Sequence, residues 1–244
     1  MRVETHVTSL VHQLSRAGMR PDERLVRHIL EGGDGARAAL LALATDIPAL
    51  HEDLPACLGP LHALRLLGEL ADVTIIEPLL TCLPVPVIDP ETDIPAHLYA
   101  SEVLQIIGRV GAPAVAALWT LGDNETKADQ ARGAAINALV YVATYTPDVR
   151  DAVLAEARDR LTRTDLSSIV ISGTVTLLAE LGDALSYKAV MTAYRDGRAD
   201  QRRMSAAVAR QQLLGGGIPS RNCVNHTLWE RYDAHGPALK DDDA

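Results

Sequence analysis

The heptapeptide Leu66-Leu67-Gly68-Glu69-Leu70-Ala71-Asp72 decides the fold, because its pattern occurs twice more in the chain. The other copies are Ile106-Ile107-Gly108-Arg109-Val110-Gly111-Ala112 and Leu177-Leu178-Ala179-Glu180-Leu181-Gly182-Asp183. Each copy closes an apolar stretch and is followed by a second apolar stretch. We therefore expect each heptapeptide to end one helix and to turn the chain into the next.

The residue types that these three turns share give specific expectations. A small residue permits close approach of a neighbouring helix, glycine permits the left-handed conformation that ends a helix, and aspartate caps the helix that follows. The residues concerned are Gly68, Gly108 and Ala179 for close approach, Gly111 and Gly182 for helix ends, and Asp72 and Asp183 for caps.

Apolar or small residues at offsets 0, 3, 4 and 7 form four stripes, three of which overlap these turns, and this spacing places them on one face of a helix. The four stripes recur every 30 to 40 residues or so, which is the period of helical-hairpin repeats. They are Ala63/Leu66/Leu67/Leu70, Val103/Ile106/Ile107/Val110, Ala135/Ala138/Leu139/Val142 and Thr174/Leu177/Leu178/Leu181.

A second apolar segment follows each stripe and predicts the partner helix of a pair. These segments are 73–83, 113–121, 148–161 and 184–194. Pro78 lies inside the first of them, which predicts a kink or a late helix start.

The turn and the paired stripes resemble HEAT-like repeats of the short bacterial type, also found in phycobilisome lyases. The resemblance covers residues 58–214. It implies an all-α fold, an α-solenoid of about five to six antiparallel helix pairs. Such repeats specify architecture well and function poorly.

The two ends of the chain depart from the repeat. Residues 1–57 predict atypical N-terminal helices, with Asp34 as the cap of a helix through Ala44, and 84–95 predicts a proline-rich acidic loop. Residues 215–244 read as a C-terminal tail. Within it, Leu228, Trp229 and Tyr232 lie at offsets that a short helix would present together, so we expect this segment to dock on the last repeat or on a second subunit.

Composition limits the partners. The net charge of −9 opposes a nucleic-acid partner, because phosphate binding needs a basic face. No apolar run approaches the roughly 18 residues of a membrane span, and no secretory signal is visible. Three scattered cysteines without a C-x-x-C pair suit a reducing compartment. These observations predict a cytoplasmic protein that binds neither nucleic acid nor membrane.

No motif indicates a catalysed reaction, because the sequence contains no phosphate-binding loop, nucleophile elbow or zinc-protease signature. The chain has one His-Glu pair, His51-Glu52, whereas the HEAT-like deoxyhypusine hydroxylases hold two irons with several. His62 and His97 each precede a stripe and are weak candidates for a shared ligand site. HEAT-like DNA glycosylases need a basic, aromatic groove, which the acidic charge and the sparse aromatic residues oppose.

We therefore predict a non-enzymatic adaptor or regulatory scaffold that binds a protein or peptide and needs no cofactor and no metal. Two alternatives remain open: a lyase-type enzyme or accessory related to phycobilisome lyases, and an immunity or inhibitor protein for a basic toxin. Large aromatic side chains and arginines are typical of binding hot spots. The weak binding candidates are Trp119, Tyr194, Arg195, Trp229 and Tyr232. For Trp119, packing in the core is the more favoured interpretation.

Overall fold

The computed structural model describes residues 2–86, 93–215 and 224–234, and every regular element in these ranges is a helix. The predicted all-α class is confirmed. Across the described ranges, no helix is both long and apolar enough to cross a membrane. The α-helices are α1 (Arg2–His12), α2 (Glu23–Leu30), α3 (Gly33–Ala44), α4 (Gly59–Leu67), α5 (Ile76–Thr81), α6 (Ile94–Gly108), α7 (Ala114–Asp123), α8 (Asp129–Tyr145), α9 (Arg150–Thr162), α10 (Ser168–Glu180), α11 (Tyr187–Arg195), α12 (Ala206–Leu214) and α13 (Leu228–Ala234).

The helices group into two compact units. The first contains the described residues up to 106 together with those from 226 onward, and the second contains those of 107–225. Helix α13 therefore belongs with α1–α6, although 107–225 separates them in sequence.

The turn signature behaves as its glycines predict. Gly111 and Gly182 have φ values of 72° and 66°, which confirms the left-handed helix ends. A Cβ on Gly108 would lie 2.5 Å from the Cβ of Tyr141 on α8, so the predicted close approach is confirmed there. The backbone at these positions is thus fixed by local chemistry.

Of the three predicted helix caps, one is confirmed and two are wrong. The Asp72 carboxylate accepts a hydrogen bond from the Thr74 amide at 3.0 Å and caps the 3-10 turn Val73–Ile75. Asp183 makes no cap hydrogen bond, because its carboxylate accepts from Arg158 and Ser186 instead. Asp34 lies inside the first turn of α3, whose N-cap is Gly32, and pairs with Arg37.

Pro78 has the effect predicted for it, because α5 begins only at Ile76 after the 3-10 turn Val73–Ile75. The predicted loop at 84–95 ends earlier than expected, since α6 starts at Ile94. Residues 87–92 of that loop lie outside the described residues.

The core of the first unit centres on α4, all of whose residues are buried. Helix α3 packs against both α1 and α4. The Tyr99 hydroxyl of α6 donates a 2.6 Å hydrogen bond to the Ala44 carbonyl at the end of α3. This bond satisfies a helix-terminal carbonyl inside the core.

In the second unit, α10 contacts both α8 and α12. Helix α9 packs against α8, α10 and α11, and α11 packs against α12. Most residues of α10 are buried, because neighbours cover it on several sides.

Candidate functional site

Helix α13 forms because its sequence carries its own start signal. The Thr227 amide donates to the Glu230 carboxylate at 2.8 Å, and the Glu230 amide donates to the Thr227 hydroxyl at 3.4 Å. This reciprocal pair is a capping box. The helix presents Leu228 and Tyr232 as buried residues and leaves Trp229 half-buried.

A buried charged network anchors α13 to α4 and α6. The Arg65 guanidinium of α4 donates to both carboxylate oxygens of Glu102 on α6, at 2.9 and 2.5 Å. Arg231 of α13 lies 3.9 Å from the same carboxylate and donates to Gln105 at 2.9 Å. All three charged side chains are at most 2% exposed. Two guanidinium groups therefore share one buried carboxylate.

His62 and Tyr232 complete the anchor. The His62 Nε2 atom lies 3.0 Å from the Gly18 carbonyl, and Nδ1 lies 2.9 Å from the Tyr232 hydroxyl. A carbonyl only accepts, so Nε2 carries the proton and Nδ1 accepts from Tyr232. Burial lowers the pKa of His62 to about 4, against the raising effect of the Gly18 hydrogen bond and with a further lowering by Arg65. The imidazole is therefore neutral at pH 7 and serves as a polar bridge.

The charged residues of this anchor, Arg65, Glu102 and Arg231, were not predicted as site residues, although the sequence around Arg65 contains a signal. Arg65 lies between Leu64 and Leu66 in an apolar stretch, whereas Glu102 and Arg231 each follow a polar residue, Ser101 and Glu230. The proposed His62–His97 ligand pair is wrong, because His62 is occupied by Tyr232 and Gly18 and His97 is exposed.

The docking predicted for Leu228, Trp229 and Tyr232 occurs within the chain, but the last repeat, one of the two predicted places, is wrong. Helix α13 contacts α4 of its own chain in the first unit. The network around Arg231 accounts for this place, because its guanidinium lies 3.9 Å from Glu102 and donates to Gln105 on α6.

Trp229 lies at the surface edge of this anchor. Its ring is 5.7 Å from the Tyr232 ring, and the Arg20 guanidinium lies 4.7 Å above it. Asp233 holds Arg20 with an ion pair of 2.5 Å. Two of the predicted binding candidates, Trp229 and Tyr232, are thus brought together, with Tyr232 buried and Trp229 accessible.

A groove of about 540 Å³ opens beside Trp229, between α2 and the start of α13. We call it the Trp229 groove. Val26, Leu30 and Leu228 give it aliphatic surface next to the indole. The full lining is Glu23, Val26, Arg27, Leu30, Glu31, Glu69, Thr227, Leu228 and Trp229.

A second groove, of about 570 Å³, runs between α1 and α3. Ala38, Ala39 and Ala42 line its α3 side. Alanine offers little contact area per residue, whereas tryptophan offers one of the largest areas. The Trp229 groove is therefore the stronger candidate.

The other three binding candidates lie in the second unit. Trp119 is buried, as the favoured interpretation expected, and the Arg160 guanidinium lies 4.1 Å over its ring. Asp123 and Glu156 pair with that guanidinium. Tyr194 is buried and donates to the Met204 carbonyl at 2.8 Å, while Arg195 is exposed beside Asp196. The Trp119 and Tyr194 side chains thus pack in the core of this unit.

The second unit also holds a paired carboxylate with a shifted pKa. Burial raises the pKa of Asp183, but the hydrogen bonds from Arg158 and Ser186 outweigh it, so the net pKa is lowered. The carboxylate is ionised and bound at neutral pH. In the part of the chain that the structure describes, no three His, Cys, Asp or Glu side chains come together as metal ligands.

Comparison of the chain with protein-family models, with curated proteins and with solved structures returns no match.

Proposed function

We propose that the protein is a non-enzymatic adaptor that binds a segment of another protein in the Trp229 groove. The observation that carries this proposal is a half-buried tryptophan on an aliphatic floor, beside a groove of about 540 Å³. Tryptophan is the residue type most enriched at the energetic centres of protein interfaces.

The anchor beneath Trp229 supports a role in recognition. Arg65 contacts the Tyr232 ring of α13 and pairs with Glu102, while Arg20, paired with Asp233, lies over the indole ring. A side chain that is fixed before binding loses less conformational entropy when a partner arrives. The groove is thus presented on a rigid base.

The solenoid architecture belongs to the same proposal. We infer that α8/α9 and α10/α11 are stacked HEAT-like pairs, with about five to six pairs in the whole chain. The succession of contacts α8–α10–α12 and α9–α11 supports this, because neighbouring repeats touch through equivalent helices. The net charge of −9 supports a partner other than nucleic acid, in a cytoplasmic setting.

The test is selection from a library of short random peptides displayed on phage, with the full chain as target. Two variants change opposite sides of the groove: Trp229→Ala on α13 and Leu30→Gln on α2. The control is Leu185→Gln, the same exchange at a residue that is 82% exposed in the second unit. We expect peptides that bind wild type and the Leu185 variant and lose affinity for both groove variants.

Circular dichroism checks that each variant folds, and Leu30→Gln keeps the test valid if Trp229→Ala loosens α13. The proposal is wrong if no peptide is selected, or if the selected peptides bind the Leu30→Gln variant as tightly as wild type.

A further inference from the structure

The rim of the Trp229 groove is acidic. Glu23, Glu31 and Glu69 contribute three carboxylates to its lining, against the single guanidinium of Arg27. Glu23 and Glu31 are exposed, so both are accessible to a partner. Glu23 also lies 3.8 Å from Arg20, an exposed pair that contributes little to stability.

The indole of Trp229, which lines the groove, already contacts a cation. The Arg20 guanidinium rests over the Trp229 ring at 4.7 Å, because the negative face of an indole attracts a cation. A carboxylate or a phosphate in the same position would meet the negative face of the indole and lie close to Glu23. Both the negative face of the indole and the carboxylates at the rim of the groove therefore favour a cation.

From this arrangement we propose that the occupant of the Trp229 groove is a basic segment of a partner protein. An apolar side chain of the segment contacts Trp229, Leu30 and Leu228, and flanking lysine or arginine side chains pair with Glu23 and Glu31. This inference rests on the proposed function and names the chemistry of its partner.

The spacing of the rim carboxylates sets the spacing of the basic residues. Glu23 begins α2 and Glu31 is its C-cap in helical conformation, so the two are eight residues apart, or about 12 Å along the helix. An extended peptide covers that distance in about four residues, and a helical one in about eight. The segment therefore carries its basic residues at one of these two spacings, on either side of the apolar anchor.

The experiment sequences the peptides that the full chain selects from the random phage library. We expect the ratio of Lys plus Arg to Asp plus Glu to rise about fivefold over the unselected library, because complementary charge discriminates among partners. In the Glu23→Gln/Glu31→Gln variant this enrichment falls back toward the input ratio. A matched control, Glu125→Gln/Asp151→Asn, neutralises two exposed carboxylates of the second unit and leaves the enrichment unchanged.

A binding measurement follows on the selected peptides. Trp119→Phe leaves Trp229 as the only tryptophan, so its fluorescence reports on the groove. Replacing the Lys and Arg of a selected peptide by Gln lowers its affinity about tenfold at low salt, and added salt narrows the difference.

The outcomes separate the two proposals. Peptides that depend on Leu30 and Trp229 but show no basic enrichment overturn the inference and leave the proposed function standing. Basic enrichment that persists in the Glu23→Gln/Glu31→Gln variant also overturns it. If no peptide depends on the groove, the proposed function fails, and the inference fails with it.

Discussion

Glu102→Gln is the sharpest test of how α13 is held. The exchange keeps the size and shape of the side chain and removes the one carboxylate that Arg65 and Arg231 share. All three side chains are at most 2% exposed, so water cannot solvate the two arginines after the carboxylate is removed. The variant therefore leaves two buried guanidinium groups around a neutral amide.

The magnitude follows from the distances. Unit charges about 4 Å apart attract by about 4 kcal/mol at an effective dielectric constant of about 20, the value that also describes buried sites best. Glu102 lies within this distance of both arginines, at 2.5 Å from Arg65 and 3.9 Å from Arg231. Part of the loss is regained because glutamine is easier to bury than a carboxylate. We expect the free energy of unfolding to fall by about 3–5 kcal/mol, the range for breaking a buried pair.

The assay is urea denaturation followed by Trp229 fluorescence in a Trp119→Phe background. Glu52→Gln, an exposed exchange in the same unit, is the control and should change the free energy by less than about 0.5 kcal/mol. Adding Arg231→Met to Glu102→Gln should recover part of the loss, because it removes one of the two stranded cations. The reasoning is refuted if Glu102→Gln unfolds at the same urea concentration as the control.

The remaining predictions concern pH and packing. Because the His62 pKa falls from 6.5 to about 4 on folding, the unfolded chain binds the extra proton; the stability that neutral His62 gives above pH 6.5 is lost as pH falls. Between pH 7 and pH 5 we expect the free energy of unfolding to fall by about 2 kcal/mol through this group. Urea titrations of wild type and His62→Gln at both pH values measure it, and equal pH profiles for the two proteins would contradict it. Gly108→Ala places a Cβ 2.5 Å from that of Tyr141 and should destabilise by about 1–3 kcal/mol. Gly35→Ala in α3 meets no atom within 4 Å and should stabilise by about 0.4–1 kcal/mol, so thermal melting of the two variants should shift in opposite directions.

The helices were predictable because their signals are local. The stripe around Ala135 and Leu139 and the turn at Gly182 depend on residues within one or two helical turns, so the sequence alone predicts α8 and the end of α10. The same holds for α13, whose apolar positions lie within five residues of one another.

The anchor and the exact groove were not predictable, because their contacts join distant positions. Arg65 meets Glu102 across 37 residues, and Arg231 meets Gln105 across 126. A charged residue in an apolar stripe indicates that a partner exists without indicating which one. Asp183 shows the same limit on a smaller scale, since Arg158, 25 residues earlier, takes the carboxylate that the local pattern assigns to a helix cap.

The position of α13 has a consequence for the order of folding during synthesis. Ribosomes deliver residues 107–225 before α13, so the second unit has its whole sequence available while the first still lacks one helix. Until Arg231 and Tyr232 emerge, Gln105 and His62 lack their contacts with α13, which span 126 and 170 residues in the chain. Contacts of such separation are slow to close, and nascent chains generally complete their domains as units. We therefore expect the amino-terminal unit to complete its folding after the unit that follows it in sequence, although amino-terminal domains usually fold first.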